Sequence, residues 1–281
     1  MKTIFITGVS TGIGYTAARE LCANGYRVLG TVRKGSDGRR VESECGGNFH
    51  PILLDVASPA QIEKLPQTLN EQFGGLHLDG LINNAGIAKA APAQFQPMQD
   101  VREQFEVNVL GLIGVTQVLL PYLAGSAGTA PGRIINISSV GGKLASPFLA
   151  AYAATKHAVE GFSQSLRREL IPSGIPVIIV GPGSIKSEIW NKSGSPGINP
   201  YETTQYRESF GKFMKVAREV EGEGFPPRAI GKFLVKLVEV RNPKVRYAFV
   251  PKPFKNWTVP MLLPDSWLDV VFGRMMGLKA G

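Results

Sequence analysis

The stretch "TIFITGVSTGIGYTAARELCANG", residues 3–25, decides the fold. "TIFIT" (3–7) is short, apolar and β-branched, the composition of a buried strand. It runs into a turn containing Gly8, Gly12 and Gly14, and then into a segment of helical length and composition. Strand, glycine turn and helix in that order are the first unit of a βαβ architecture. Glycines let the backbone turn tightly and approach a phosphate, and a helix N-terminus offers free N–H donors with a positive dipole end. The spacing is G-x3-G-x-G, so the generic G-x-G-x-x-G dinucleotide fingerprint is not met. A phosphate cradle and a purely structural turn both fit these residues.

Working outward, the same rhythm recurs. "RVLGTV" (27–32), "PILLDV" (51–56), "DGLINNA" (79–85), "RIINIS" (133–138) and "PVIIVG" (176–181) read as further strands. Helical stretches lie between them, among them "VREQFEVNVLGLIGVTQVLLPYL" (101–123). Continuous apolar strands alternating with helices predict an α/β fold: a single doubly wound parallel sheet, Rossmann-type, with helices on both faces. After Gly183 the rhythm changes. Residues 188–225 are polar and aromatic without a strand signal, and include Ile189, Trp190, Tyr201, Tyr206 and Phe210. An insertion after the sixth strand lies beside the carboxyl ends of the sheet, where ligands bind in this architecture, so it reads as a substrate lid; a surface loop is the alternative. A helix over 227–240, a last strand "VRYAFV" (245–250) and an amphipathic tail (252–281) complete one domain spanning 1–281.

Composition removes several classes. Cys22 and Cys45 form neither a disulfide framework nor a metal-ligand spacing, which suits a reducing compartment. With three histidines (His50, His77, His157), neither a zinc site nor a serine–histidine–acid triad is expected, and no metal is assigned. The apolar run of "MKTIFITG" is too short for a signal-peptide core, and runs such as "VLGLIGV" (109–115) fall short of a membrane span. A soluble, cytoplasmic protein is expected. The formal charge of +9 is uneven: net +2 over residues 1–185 and +7 over 186–281. Such a bias suits nucleic acid, an anionic membrane or an anionic ligand. Without a zinc finger or RNA-binding aromatic signature, nucleic acid is set aside.

One further segment carries chemistry. "AAYAATKHAVEG" (150–161) places Tyr152 and Lys156 four residues apart, on one face of a helix. A nearby positive charge favours a phenolate and lowers a tyrosine pKa from about 10, which makes the pair a candidate general acid/base. A core tyrosine beside a solvated lysine is the bland alternative. His157 points about a quarter-turn away and reads as structural.

"TGVSTGIG", "NNAG" (83–86), "NVLG" (108–111), "ISSVGG" (137–142), "YAATK" (152–156) and "PGSIKS" (182–187) together resemble, in order, the landmarks of the short-chain dehydrogenase/reductases. The resemblance spans residues 3–187. It implies that Tyr152 donates a proton to a carbonyl or accepts one from an alcohol. Lys156 would lower its pKa and hold the nicotinamide ribose. Ser139 rather than Ser138 would hydrogen-bond the substrate oxygen, and Asn108 would hold a water linking Lys156 to solvent. The glycine turn (Gly8, Ser10, Thr11, Gly12, Ile13, Gly14) would hold the cofactor. Asp55 and Val56 would contact adenine, Asn84, Ala85 and Gly86 the adenosine side, and Pro182, Gly183, Ile185 and Ser187 would frame the nicotinamide.

In this family an NAD-preferring site has an acid at the end of the second strand, accepting from the ribose 2′-hydroxyl. Here Val32 takes that position, followed by Arg33 and Lys34. Arginine pairs with a 2′-phosphate, so NADP(H) is the expected cofactor, held mainly by Arg33, with dual use of NAD(H) as the alternative. "TVRK" and the extended tail resemble the retinol and 17β-hydroxysteroid dehydrogenase-like branch. That implies a small-molecule carbonyl/alcohol substrate, bulky and apolar: steroid-, retinoid- or lipid-like. A catalytically inactive NADP(H)-binding regulator or scaffold is the rival function. The family implies a homodimer or homotetramer. In the tail, "LPDSWLDVVFGRMMGL" (263–278) sets Trp267, Val271 and Met275, and Leu268, Phe272 and Met276, at spacings of four, with Asp265 or Ser266 as cap. Packing on the lid or a second subunit is the first reading of this face, peripheral membrane contact the second.

Overall fold

The computed structural model describes residues 1–186 and 201–278. Seven parallel strands form one sheet: β1 (Thr3–Ile6), β2 (Arg27–Val32), β3 (Phe49–Leu53), β4 (Gly80–Asn83), β5 (Arg133–Ile137), β6 (Val177–Pro182) and β7 (Arg246–Phe249), in the order β3-β2-β1-β4-β5-β6-β7. The connecting helices are α1 (Gly12–Ala23), α2 (Gly35–Cys45), α3 (Pro59–Phe73), α4 (Met98–Phe105), α5 (Gly111–Leu123), α6 (Ala150–Glu169), α7 (Arg207–Gly222) and α8 (Pro227–Glu239). The chain ends in the short α9 (Val259–Leu262) and α10 (Asp265–Met276). The strand order reverses between β1 and β4, which opens a crevice at their carboxyl ends.

Strand side chains alternate between two cores, as a pleat of period two requires. Ile4, Ile6, Val28, Ile135, Ile137, Ile178 and Val180 face α1, α2 and α8. Phe5, Leu29, Leu81, Ile134 and Val177 face α3, α5 and α6. A third cluster lies off the sheet: Phe148, Phe210, Phe213 and Met276 pack together, with Tyr201 and Tyr206 against them. This joins the loop before α6 to α7 and the tail.

Four sequence expectations are corrected. The third strand starts two residues earlier than Pro51 and ends at Leu53. The helix expected over 101–123 begins at Met98 and is interrupted by a π-helical turn over Glu106–Leu110. Met98–Leu123 is thus long and apolar enough to match a membrane span, but Leu112, Val115, Leu119 and Leu123 are buried in the fold. The segment read as lid contains a helix, α7, while its part over 187–200, with Ile189 and Trp190, lies outside the described residues. Neither Asp265 nor Ser266 caps the tail helix: Pro264 precedes it, and its carbonyl accepts from the N–H groups of Trp267 and Leu268.

Helices α1 and α8 cross at Gly231, where an added Cβ would come 2.8 Å from the Thr16 carbonyl oxygen and 2.9 Å from Thr16 Cγ2. Gly161 on α6 has nothing within 4 Å of that position. The same substitution should therefore have opposite signs. Gly231→Ala should destabilise by about 1–3 kcal/mol through overpacking, and Gly161→Ala should stabilise by roughly 0.5–1 kcal/mol. Urea denaturation of both variants checks the pair.

Candidate active site

The glycine turn is shaped by its neighbours across the crevice. Gly8 takes φ 71, open to glycine at low cost, and a Cβ on Gly14 would collide with the Asn84 amide and the Gly8 carbonyl. Asn84 Nδ2 donates to the carbonyls of Thr7 and Gly8, each at 2.9 Å. Thr7 Oγ1 accepts from the main-chain N–H groups of Asn84 (2.9 Å) and Ala85 (3.0 Å). The Asn84 amide therefore shapes the turn, while Gly86 lies exposed at the mouth. Helix α1 starts here without a side-chain cap and without an acid in its first turn, which leaves its dipole end open to an anion. Tight glycines, a bare helix start and a strand-order reversal fit a dinucleotide pyrophosphate.

The second cluster stands at the ends of β5 and α6. Tyr152, partly exposed, stands beside Ser139: a Cβ added at Gly141 would lie 3.5 Å from both the Ser139 hydroxyl and the Tyr152 ring. Ser139 Oγ also accepts from the Gly141 N–H at 3.0 Å. Ser138 Oγ is buried and finds no protein partner, and the adjacent backbone of Gly142 closes over it. The geometry thus brings Ser139, not Ser138, to the tyrosine. Lys156 is 5% exposed, with Nζ donating to the Ile137 carbonyl at 3.0 Å and lying 5.8 Å from the Tyr152 ring centre. Burial pulls its ammonium down to about 8, opposed by the Glu160 carboxylate one turn on. Tyr152 departs from the expectation: burial raises its pKa, and only the Ser139 side chain acts the other way. Asn108 is buried in the π-helical turn; its amide exchanges hydrogen bonds with the main chain of Ile87 (2.8 and 2.9 Å) and donates to Thr155 Oγ1 (3.0 Å). Its side chain is committed to protein, so a water held at this residue would bind its main chain. His157 Nδ1 contacts the Ala153 carbonyl at 2.9 Å, a structural role.

The remaining candidates line the same crevice unequally. Arg33 and Lys34 are exposed just past the end of β2, while Val32 is buried. Asp55 Oδ1 accepts from the Ala57 N–H at 3.0 Å, and the Val56 side chain is buried in the second core. Pro182 ends β6, the Gly183 N–H donates to Phe249 at 2.9 Å, and Ile185 is buried, bridging Phe225. Ser187 lies outside the described residues.

Three features were not singled out from the sequence. Asn83 donates to Thr116 and Asn136, which reaches Ser163, so a buried polar chain runs beneath the site. Arg40 on α2 reaches back to the Ser10 carbonyl at 2.5 Å. The bifurcated contact of Arg246 Nε with both carboxylate oxygens of Glu160 stands behind Ser139. Only Arg40 had a local signal, two helical turns past Arg33.

A cradle for a dinucleotide and a tyrosine–lysine pair meeting at one end of a parallel sheet define a nucleotide-dependent oxidoreductase of the doubly wound class. The pattern described as "short chain dehydrogenase" matches residues 2–196. An NADPH-dependent 3-dehydrocapnine reductase from Ornithobacterium rhinotracheale is 37% identical over 97% of this chain and 96% of its own. A 3-ketodihydrosphingosine reductase from Bacteroides thetaiotaomicron is 30% identical over 95% of each chain. Mouse retinol dehydrogenase 5 is 31% identical over 94% of this chain and 84% of its own. Among solved structures, a short-chain dehydrogenase from Streptomyces avermitilis superposes with a TM-score of 0.74 at 26% identity, covering 98% of this chain and 95% of that one. The chain belongs to the short-chain dehydrogenase family, with relatives in its retinol dehydrogenase-like branch.

The Asn84 amide tests how the cradle is built. Asn84→Ala should cost about 1–3 kcal/mol by leaving two carbonyls without their donor. Asn84→Asp should cost at least as much, because it turns acceptor oxygens on those carbonyls. Chemical denaturation of the two variants reads both.

Proposed function

We propose that this protein is an NADP(H)-dependent reductase of bulky, apolar ketones or aldehydes. The observation that carries the reading is the Ser139 hydroxyl and the Tyr152 ring meeting at Gly141, with buried Lys156 one turn further along α6. When bound, the dinucleotide supplies the hydride. Ser139 holds the substrate oxygen and stabilises the charge developing on it. Tyr152 gives the proton, and Lys156, charged below about 8, holds the ribose one turn along from the phenol. Exposed Arg33, with no acid at Val32, supports the 2′-phosphate, and one full-length relative is named as NADPH-dependent. Two relatives are named as reductases of 3-dehydro or 3-keto compounds, which supports reduction of a ketone. The aromatic cluster of Phe148, Phe210 and Phe213 supports an apolar ligand. Phe148 sits at φ 67, a strained conformation for a bulky side chain, and such strain gathers at functional sites.

The partners follow from the surface. Nine of the seventeen large apolar side chains exposed among the described residues fall within 254–278, including Phe254, Leu262, Trp267, Val270, Val271 and Met275. Only Met276 of α10 is buried, against α7 and Phe148. At about 100° per residue, Trp267, Val271 and Arg274 share one face within roughly 60°, whereas Asp265 and Asp269 fall on the side of Met276. An apolar face bearing its one cation, flanked by Lys252 and Lys255, is matched to an anionic bilayer, and we place the protein peripherally on a cytoplasmic membrane surface. A homodimer or homotetramer is the assembly the family supports.

Consumption of NADPH and of NADH over ketones and aldehydes from small polar to steroid-sized tests the reading. Expected are a higher kcat/KM with NADPH and with the bulky ketones. Tyr152→Phe should fold normally and lose about 10²–10⁴ in turnover; retained activity in that variant would remove the acid role. For the surface, the protein should float with phosphatidylserine vesicles at low salt and be released by Val271→Asp or high salt. Failure to float, together with a mass by light scattering that falls on Val271→Asp, would assign the face to a second copy instead.

A further inference from the structure

Ser139 is held from behind by a charge pair whose arginine the proton chemistry does not use. Arg246 on β7 lies across β6, with Nε 3.0 Å from each carboxylate oxygen of Glu160 on α6. Its Nη2 donates to the main-chain carbonyl of Ser139 at 3.3 Å. The Trp257 ring covers the guanidinium, 4.2 Å from the ring centre. Glu160 is 2% exposed, with Lys143 Nζ at 3.9 Å as its second cation. The path across β6 exists because residue 181 is glycine: a Cβ there would collide with Arg246 Nη2.

A buried ion pair adds little stability over apolar residues of the same volume, so its use lies elsewhere. Its use here is direction. The planar guanidinium, locked by Glu160 on one edge and by Trp257 on its face, keeps a remaining N–H aimed at the Ser139 carbonyl. Ser139 is extended, at φ −163 and ψ 167, and precedes the short turn over Val140–Gly142. Its hydroxyl therefore points where its main chain allows, toward Tyr152.

We propose that Arg246 is a positioning residue for Ser139: Glu160 and Trp257 hold the guanidinium, the guanidinium holds the Ser139 carbonyl, and the serine hydroxyl is thereby set against Tyr152. The proposal rests on the reading of Ser139 as the residue that binds the substrate oxygen.

The test is a double-mutant cycle on kcat, using NADPH with 3-ketodihydrosphingosine or whichever ketone of the panel turns over fastest. Arg246→Met should lower kcat about tenfold to a hundredfold, the scale of a small misplacement at a reacting centre, with KM for NADPH unchanged. In a Ser139→Ala background the same substitution should have little further effect, because the residue through which it acts is gone. Arg246→Lys should restore only part of the rate, since an ammonium lacks the fork. Should Arg246→Met fold poorly with Glu160 left unpaired, Glu160→Gln combined with Arg246→Met removes both charges. Because Glu160 also acts on Lys156, the double variant is compared with Glu160→Gln alone and should show the same fold-loss of kcat relative to it at near wild-type melting temperature. A kcat in that double variant equal to that of Glu160→Gln alone, or equal proportional losses in the two serine backgrounds, would overturn the proposal. A wild-type kcat in Ser139→Ala alone would instead bring down the assigned role of the serine, and the positioning role with it.

Discussion

The junction of β1 and β4 constrains everything built above it. These neighbours are distant in sequence, and their loops leave the sheet side by side at the reversal of strand order. Each loop supplies the other's missing hydrogen-bond partner: the Asn84 amide serves the carbonyls of Thr7 and Gly8, and the Thr7 hydroxyl serves the N–H groups of Asn84 and Ala85. Buried polar groups left unmatched are costly, so the two loops form as one unit or not at all. That unit leaves room only for glycine at residue 14 and sets the start of α1 against the crevice.

Helix α6 is the second organising element, because it carries charge into the core at two successive turns. Lys156 and Glu160 are both nearly solvent-free, and each is tied to the segment that contains Ser139. Lys156 bonds the Ile137 carbonyl directly, and Glu160 reaches the Ser139 carbonyl through Arg246. The negative Glu160 also partly offsets the burial of the lysine ammonium. Lys156 and the anchor of the Ser139 segment therefore share one helix face, and the buried Asn83–Asn136–Ser163 chain fixes that helix to the sheet below.

What could be read from the sequence follows the range of the interactions involved. The strands were legible because both faces of the sheet are covered, which makes each strand a continuous apolar run. The tyrosine–lysine spacing was legible because a helix turn is local. The third strand was misplaced because Leu54 and Val56, both buried, extend the strand pattern past Leu53, where pairing with β2 ends and the chain turns at Asp55. The π-helical turn at Asn108 left no periodic signal, since one extra residue in a turn does not interrupt an apolar helix face. The preference for Ser139 over Ser138 rests on resemblance; in the structure Ser138 Oγ is buried beside Gly142, while Ser139 Oγ stands at the turn with Tyr152. The Glu160–Arg246 pair joins residues 86 apart, and no local pattern encodes such a contact.

The C-terminal third reuses this logic for a different purpose. Its helix α7 and the tail contribute no strand to the cradle, yet both close on the loop between Ser139 and Tyr152. Phe210, Phe213 and Met276 pack on Phe148, and Trp257 packs on Arg246. The Phe148 carbonyl accepts from the Ala91 N–H, which ties this loop to the segment following Gly86 as well. A shift of the tail would therefore be felt at both ends of the serine–tyrosine loop, through an aromatic contact at Phe148 and a cationic one at Arg246. Among the described residues, the cofactor cradle at the β1–β4 junction makes no contact that depends on α7 or the tail, so sequence change there is constrained by this loop and not by the cradle.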